Sequence, residues 1–353
     1  MTGAALHTSL CDLVGIRYPI VQTGMGWVAG PRLVAATANA GGLGILASAT
    51  MDLEQLTQAV KEVRARTDAP FGVNLRADAP DALARIELLI REDVKVASFA
   101  LAPRADLIAR LKEAGVVVIP SIGARRHAEK VAAMGADAVL VQGGEGGGHT
   151  GPVATTLLLP QVVDAVDIPV IAAGGFFDGR GLVAALAYGA AGIAMGTRFL
   201  LTQESTVPDQ VKRLYLERDV TGTVVTTKVD GVPHRVLRTE LIEQLERSGA
   251  ATGLLRALRN AVAFRKLSGT SWGAMISEGL AMRRQHELTW AQVVMAANTP
   301  MLLRAAMVEG NPHLGVMSGG QVVGLIDDLP TVAELIERIV AEASAVLARL
   351  NNP

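Results

Sequence analysis

The stretch AVLVQGGEGGGHTGP, Ala138–Pro152, runs from an apolar segment into a loop that sets one histidine and one glutamate among six glycines. A short run of apolar residues that ends in such a loop reads as a buried strand of a parallel sheet. Eight strand candidates of this kind follow one another: PIVQTGM (19–25), GILA (44–47), FGVNL (71–75), VASFA (96–100), VVVIPSI (116–122), AVLVQGG (138–144), PVIAAGG (169–175) and GIAMGTR (192–198). Between them lie amphipathic segments such as LEQLTQAVKEVRART and ADLIARLKEAG, apolar at three- and four-residue steps. Eight βα units are the number that closes a (β/α)8 barrel, so the sequence predicts an α/β fold of TIM-barrel type. A doubly wound open sheet is the structural rival, but it more often carries five or six strands.

After Phe199 the rhythm breaks. The expected division is a barrel over 1–201, a mainly helical substrate or lid region over 202–330, and a C-terminal helix over 331–353 that returns to the barrel wall. The middle region holds a β-like piece, TGTVVTTKVDG, and the basic residues Arg256, Arg259, Arg265, Lys266, Arg283 and Arg284. These cations read either as ordinary surface charge or as a site for the phosphates of a substrate's remote end.

With 353 residues, half of them hydrophobic, and a formal charge of -1, the chain has no global electrostatic reason to seek nucleic acid. Cys11 is the only cysteine, which excludes an intramolecular disulfide and a cysteine-based zinc site. The start, MTGAALHTSLCDLVGIRYP, lacks the basic residues and long apolar run of a secretory signal, and no later run is long and apolar enough to span a membrane. A cytoplasmic protein is expected.

In a barrel of this type the chemistry gathers at the carboxyl ends of the strands, where the quoted glycine loop begins. Gly174 and Gly175 end the seventh candidate strand, and Gly196 and Thr197 the eighth, in the loops where such barrels often hold a phosphate. Either pair alone would read as a tight turn; the two together point to a phosphate-bearing cofactor. Across the barrel mouth Gln22, Thr23, Gly24 and Met25 are placed to lie along a planar ring. Asn74 is placed to bond its polar edge, and Ser121 at the fifth strand end completes the set. His149 is the one histidine at a predicted strand end with such a loop, and is the candidate base. His234, Arg235 and Arg238 in DGVPHRVLR form a weaker group, either a substrate-phosphate site or a solvated turn.

Taken in order, PIVQTGMGW, NAGGLGILAS, FGVNL, GADAVLVQGGEGGGHTG, IPVIAAGGFFDGRG and MGTRF resemble the nitronate monooxygenase family, formerly called 2-nitropropane dioxygenases. That family in turn resembles the FMN-dependent enoyl-acyl-carrier-protein reductases. The resemblance spans roughly residues 10 to 205, with a weaker echo in SGGQVVGLI around Gln321. It implies non-covalent FMN in a barrel, its phosphate on Gly174, Gly175, Gly196 and Thr197, with Glu145, Gly148 and Gln321 among the flavin-binding residues. It also implies that His149 faces the substrate.

The chain departs from that pattern informatively. Bacterial nitronate monooxygenases usually read Ala-Pro-Met where this chain has Thr23-Gly24-Met25, and Glu-Ala-Gly-Gly-His where it has Glu145-Gly146-Gly147-Gly148-His149. The chain as a whole, including the basic helical region and WAQVVMAANTPMLL, resembles an actinobacterial branch linked to degradation of steroid C and D rings. The branch introduces a double bond into a bicyclic indane carboxyl-CoA thioester.

Oxidising a carbon–carbon bond with a flavin requires an acceptor for hydride and a base for the neighbouring acidic proton. The leading expectation is therefore an FMN oxidoreductase acting on a CoA thioester of steroid degradation, with His149 as base. The alternatives are a nitronate monooxygenase using O2, an enoyl-thioester reductase, and a flavin-binding protein without turnover. The sequence leaves NAD or O2 open as electron acceptor, and leaves the oligomeric state open. No nucleic acid, membrane or metal partner is expected.

Overall fold

The computed structural model describes residues 6–100, 102–247 and 290–351, and of 290–298 the backbone alone. Arg256, Arg259, Arg265, Lys266, Arg283 and Arg284 lie outside the described residues. Residue contacts divide the chain into two compact units: Met1–Gly146, Thr150–Thr206 and Leu325–Pro353 form the first, and Gly147–His149 and Val207–Gly324 the second.

The strands in chain order are β1 (Ile20–Gln22), β2 (Leu43–Ala47), β3 (Gly72–Leu75), β4 (Val96–Phe99), β5 (Val117–Ile122), β6 (Val139–Gln142), β7 (Gly148–His149), β8 (Val170–Ala173), β9 (Gly192–Met195), β10 (Thr223–Thr226) and β11 (His234–Leu237). In the first unit β1–β6, β8 and β9 close into a barrel, and every pairing is parallel, including the closing pair of β1 with β9. All eight carboxyl ends therefore open at the same mouth. The eight predicted strands are these eight, so the TIM-barrel expectation holds and the open sheet is excluded. The observed strands stop short of their glycine ends: β8 ends at Ala173 and leaves Gly174 and Gly175 to the loop.

Both faces of the barrel sheet are covered, which explains why all five residues of β2 are buried. The two-residue alternation of a strand sends Leu46, Val73, Ala97 and Val118 to the outer core, against Val60, Ile86 and Ile108 of the surrounding helices. It sends Ile45, Val96, Val117 and Ile119 to an inner cluster, joined by Leu10 and Val14 from the N-terminal helix. The same alternation places Asn74, Ser98 and Ser121 inside the barrel, in the layer nearest the mouth. Polar side chains thus replace the apolar filling where a ligand would enter.

The helices are set by local signals. Over Leu53–Arg64, the Asp52 carboxylate accepts from Gln55 N at 2.8 Å while Gln55 Oε1 accepts from Asp52 N at 3.1 Å, a reciprocal cap, and Leu56, Val60 and Val63 are buried at helical spacing. The long helix Val332–Asn351 packs on Gly179–Ala187 so closely that a Cβ at Gly179 would lie 2.4 Å from Ile339 O, and Gly179 N donates to the Glu342 carboxylate at 2.9 Å. The Arg198 guanidinium, buried beneath the barrel end, donates to Asp328 at 2.9 Å, and Arg338 donates to the other oxygen of the same carboxylate at 2.7 Å.

In the second unit β10, β11 and β7 form a three-stranded antiparallel sheet, with His234 opposite His149 and Arg235 opposite Gly148. The predicted β-like piece TGTVVTTKVDG thus forms a strand only over Thr223–Thr226, and its remainder is the turn that carries Asp230. Among the described residues no helix is long and apolar enough to cross a membrane.

Candidate active site

At the mouth of the barrel, Gln22 ends β1 fully buried. Its Nε2 donates to the carbonyls of Thr23 and of Ile45, but its Oε1 has no hydrogen-bond partner among the described residues. A buried acceptor left unsatisfied costs roughly 1–3 kcal/mol, so it is open to a donor beyond the described residues. Next to it Thr23 Oγ1 approaches Met195 O at 3.5 Å, Gly24 abuts Asn74, and Met25 lies over Gly196. Asn74 Nδ2 donates to Ser98 Oγ at 3.3 Å. Trp27, in the same β1 loop, holds φ at 65°, a left-handed conformation that non-glycine residues seldom adopt.

The other side of the mouth is built by glycine. Gly174 and Gly175 have φ of 94° and 85°, conformations that a side chain would strain. A Cβ on Gly174 would meet Gly143 O and Thr155 Oγ1 at 3.1 Å, whereas a Cβ on Gly175 would meet nothing closer than Glu145 Cβ at 3.7 Å. Gly174 is therefore demanded by packing and Gly175 by its backbone beside open space. Glu145 is held by Thr155, whose backbone N–H and hydroxyl donate to its carboxylate at 2.9 and 2.8 Å. It caps the helix Thr155–Val163, which leaves its stem along the glycine cradle. Gly196 precedes the single helical turn Thr197–Leu200, with Thr197 buried. Ser121 is half-buried in β5.

The remaining sequence candidates belong to the second unit. His149 Nε2 lies 2.7 Å from Asp230 Oδ2, and the same oxygen lies 3.2 Å from His234 Nδ1. His234 Nε2 in turn meets Ser318 Oγ at 2.8 Å. The two imidazoles are cross-strand neighbours, with ring centroids 4.7 Å apart and planes at 53°. Asp230 Oδ1 accepts from Val232 N at 3.2 Å, a local turn bond that fixes the carboxylate's other side. Burial would raise the Asp230 pKa, but the hydrogen bonds from His149 and His234 outweigh it and hold the carboxyl well below its usual range. Asp230 and His234 are buried while the His149 side chain is 60% exposed.

These contacts explain part of the quoted glycine run. A Cβ on Gly147 would lie 2.6 Å from Gly319 C and Gly320 N, so the backbone here must touch the backbone of the Ser318–Gly320 segment. Gln321 opens the short 3-10 helix that follows.

For His234 the structure corrects the expectation of a phosphate ligand: it is 3% exposed, and both ring nitrogens are engaged inside the unit. Arg235, its neighbour along β11, projects to the opposite face and donates to Thr223 Oγ1 at 3.0 Å, while Arg238 beyond the strand is exposed. Sequence reasoning missed Asp230 and Ser318. Asp230 was detectable as an acid four residues before a histidine that starts a strand, and Ser318 opens SGGQVVGLI, the weaker echo of the family, though nothing in that stretch marks its hydroxyl as a partner of His234.

A parallel eight-stranded barrel whose mouth is lined by polar side chains and left-handed glycines is the architecture of a TIM-barrel enzyme. The sequence pattern of the family described as nitronate monooxygenase matches residues 7–85 and 82–342. The chain belongs to the nitronate monooxygenase family, and it is an oxidoreductase of that flavin-dependent kind. It is 69% identical over 341 residues to the (3aS,4S,5R,7aS)-5-hydroxy-7a-methyl-1-oxo-octahydro-1H-indene-4-carboxyl-CoA dehydrogenase of Mycobacterium tuberculosis, covering 96% of each chain. It is 67% identical over 340 residues to the protein of the same name in Rhodococcus jostii, again covering 96% of each. The solved structure of FabK from Thermotoga maritima superimposes with a TM-score of 0.80 at 36% identity, covering 98% of each chain.

Proposed function

We propose that this protein is an FMN-dependent dehydrogenase that introduces a carbon–carbon double bond into a bicyclic indane carboxyl-CoA thioester. The observation that carries the reading is its 69% and 67% identity, over nearly the whole chain, to two dehydrogenases named for such a substrate. The barrel mouth fits a flavin. The orphaned Gln22 Oε1 offers an acceptor to a ring or ribityl donor, and Gly174–Gly175 offer backbone without side chains to a single phosphate. One phosphate cradle, with no dinucleotide fingerprint in the sequence, favours FMN over FAD.

A bound flavin supplies an acceptor for the hydride that leaves the substrate. The chain supplies the rest. Asn74 and Gln22 orient the ring, and Glu145 keeps the phosphate cradle in shape through Thr155. His149 takes the proton from the carbon next to the thioester carbonyl, whose acidity the thioester raises. The substrate thereby loses one proton and one hydride and gains one C=C bond. Arg238, exposed beyond β11, is the described cation offered to the CoA phosphates, with Arg235 beside it in sequence.

Anaerobic mixing of the flavin-loaded protein with the saturated indane carboxyl-CoA thioester tests the reading directly. Bleaching of the oxidised flavin with formation of the unsaturated thioester is expected. Bleaching by an alkyl nitronate, with none by the thioester, would make the protein a nitronate monooxygenase instead.

A further inference from the structure

We propose that Asp230 is the positioning residue of His149, and that His234 and Ser318 hold Asp230 in place for that task. The inference rests on the reading of His149 as base and adds the atom through which it acts. His149 Nε2 is committed to Asp230 Oδ2 at 2.7 Å. A neutral imidazole carries one N–H and one lone pair, and a carboxylate accepts only. The proton therefore sits on Nε2 and the basic lone pair on Nδ1. When Nδ1 receives the substrate's proton, the resulting imidazolium keeps its Nε2–H bond to an anion already in place. No side chain has to move to stabilise the new charge.

The buried half of the network explains why the carboxylate stays aimed. Asp230 Oδ2 also accepts from His234 Nδ1 at 3.2 Å, and Oδ1 accepts from Val232 N at 3.2 Å, so both oxygens are fixed. With its Nδ1–H donated to Asp230, neutral His234 presents an acceptor at Nε2, which the Ser318 hydroxyl satisfies at 2.8 Å. Ser318 is placed by its carbonyl, which accepts from the buried Tyr215 hydroxyl at 2.7 Å, and by its bridge to Val236 of β11. The order Ser318, His234, Asp230, His149 runs from a half-buried serine through two buried groups to an exposed imidazole. Proton donors and acceptors alternate along it without conflict. A divalent cation held by the same three ligand atoms is the competing occupant, because they lie within 4.8 Å of one another.

The test uses the FMN holoenzyme and the indane carboxyl-CoA thioester. Asp230→Asn should retain flavin and leave the KM for the thioester within about threefold, while the rate of flavin reduction falls by roughly three to four orders of magnitude, the scale seen when such an acid is neutralised and the histidine adopts the wrong tautomer. Nitrogen-15 NMR of histidine-labelled holoenzyme should show His149 protonated on Nε2 in the wild type and on Nδ1 in Asp230→Asn. Ser318→Ala, a smaller change, should give the same shift in part, with a loss of rate of about tenfold. An unchanged rate and tautomer in Asp230→Asn, alongside a crippled His149→Ala, would overturn the positioning role and leave the base assignment standing. Full activity in His149→Ala would overturn the base assignment itself. Stoichiometric zinc binding that is lost in Asp230→Asn and required for activity would replace the proposal with a metal site.

Discussion

A Cβ built on Gly24 lies 2.5 Å from Cβ of Asn74, so the loop after β1 and the end of β3 meet with no room for a methyl group. Gly24→Ala must displace Asn74 and with it the bond to Ser98. Overpacking of this kind costs about 1–3 kcal/mol. The variant is expected to lose flavin on dialysis and to show a lower Tm; a variant that keeps both at wild-type level would remove Asn74 from the flavin site.

The two glycines after β8 should behave differently from each other. At Gly174 a side chain meets Gly143 and Thr155 at 3.1 Å, so Gly174→Ala should lower stability whether or not flavin is bound. Gly175 has space for a Cβ but not the φ for one, at a backbone cost of about 1–2 kcal/mol. Gly175→Val should therefore fold with a modest loss of Tm and release FMN far more readily. Equal flavin retention in the two variants would show that Gly175 faces no phosphate.

The barrel was legible because its signal is local: eight apolar runs, each closed by glycine or a polar residue, separated by amphipathic helices. The runs overshoot, as in PVIAAGG, because glycine at a strand end is indistinguishable from glycine within one until its φ is known. The second sheet was half legible. TVVT is visibly rich in β-branched residues, but β7 is two residues long and exists only through its pairing with β11, 85 residues later at His234 opposite His149. Asp230 escaped notice for the same reason: its partner His149 is 81 residues away in sequence. DGVPHRVLR read as a loop of cations because Pro233 precedes a strand whose first residue, His234, faces inward.

Asp230 also makes a pH prediction. Its folded pKa is depressed below the ordinary 3.8, so its ionised form stabilises the fold at pH values above that level, and the stabilisation is lost as pH falls through the folded value. The difference in unfolding free energy between wild type and Asp230→Asn should shrink as pH falls below about 4. A difference that instead grows as pH falls from about 4 to 2 would reverse the sign and contradict an ionised Asp230.

Asp328 joins Arg198 to Arg338, and the Arg198 side chain is 3% exposed. Asp328→Ala leaves that buried guanidinium without its carboxylate, which should destabilise the fold by roughly 2–4 kcal/mol, read as a lower denaturant midpoint. A change under about 0.5 kcal/mol would show that the neighbouring carbonyls suffice.

If the CoA portion meets the exposed cation beyond β11, Arg238→Ala should raise the KM for the thioester about tenfold while kcat and the turnover of a small nitroalkane stay nearly constant. Parallel losses on both substrates would assign Arg238 to folding.

Proton removal by His149 is the step on which the proposed dehydrogenation turns. Stopped-flow reduction of the FMN holoenzyme by the indane carboxyl-CoA thioester, wild type against His149→Ala at equal flavin occupancy, measures it most directly. The variant should keep its flavin and be reduced roughly two to four orders of magnitude more slowly. Reduction at near wild-type speed would remove His149 as the base.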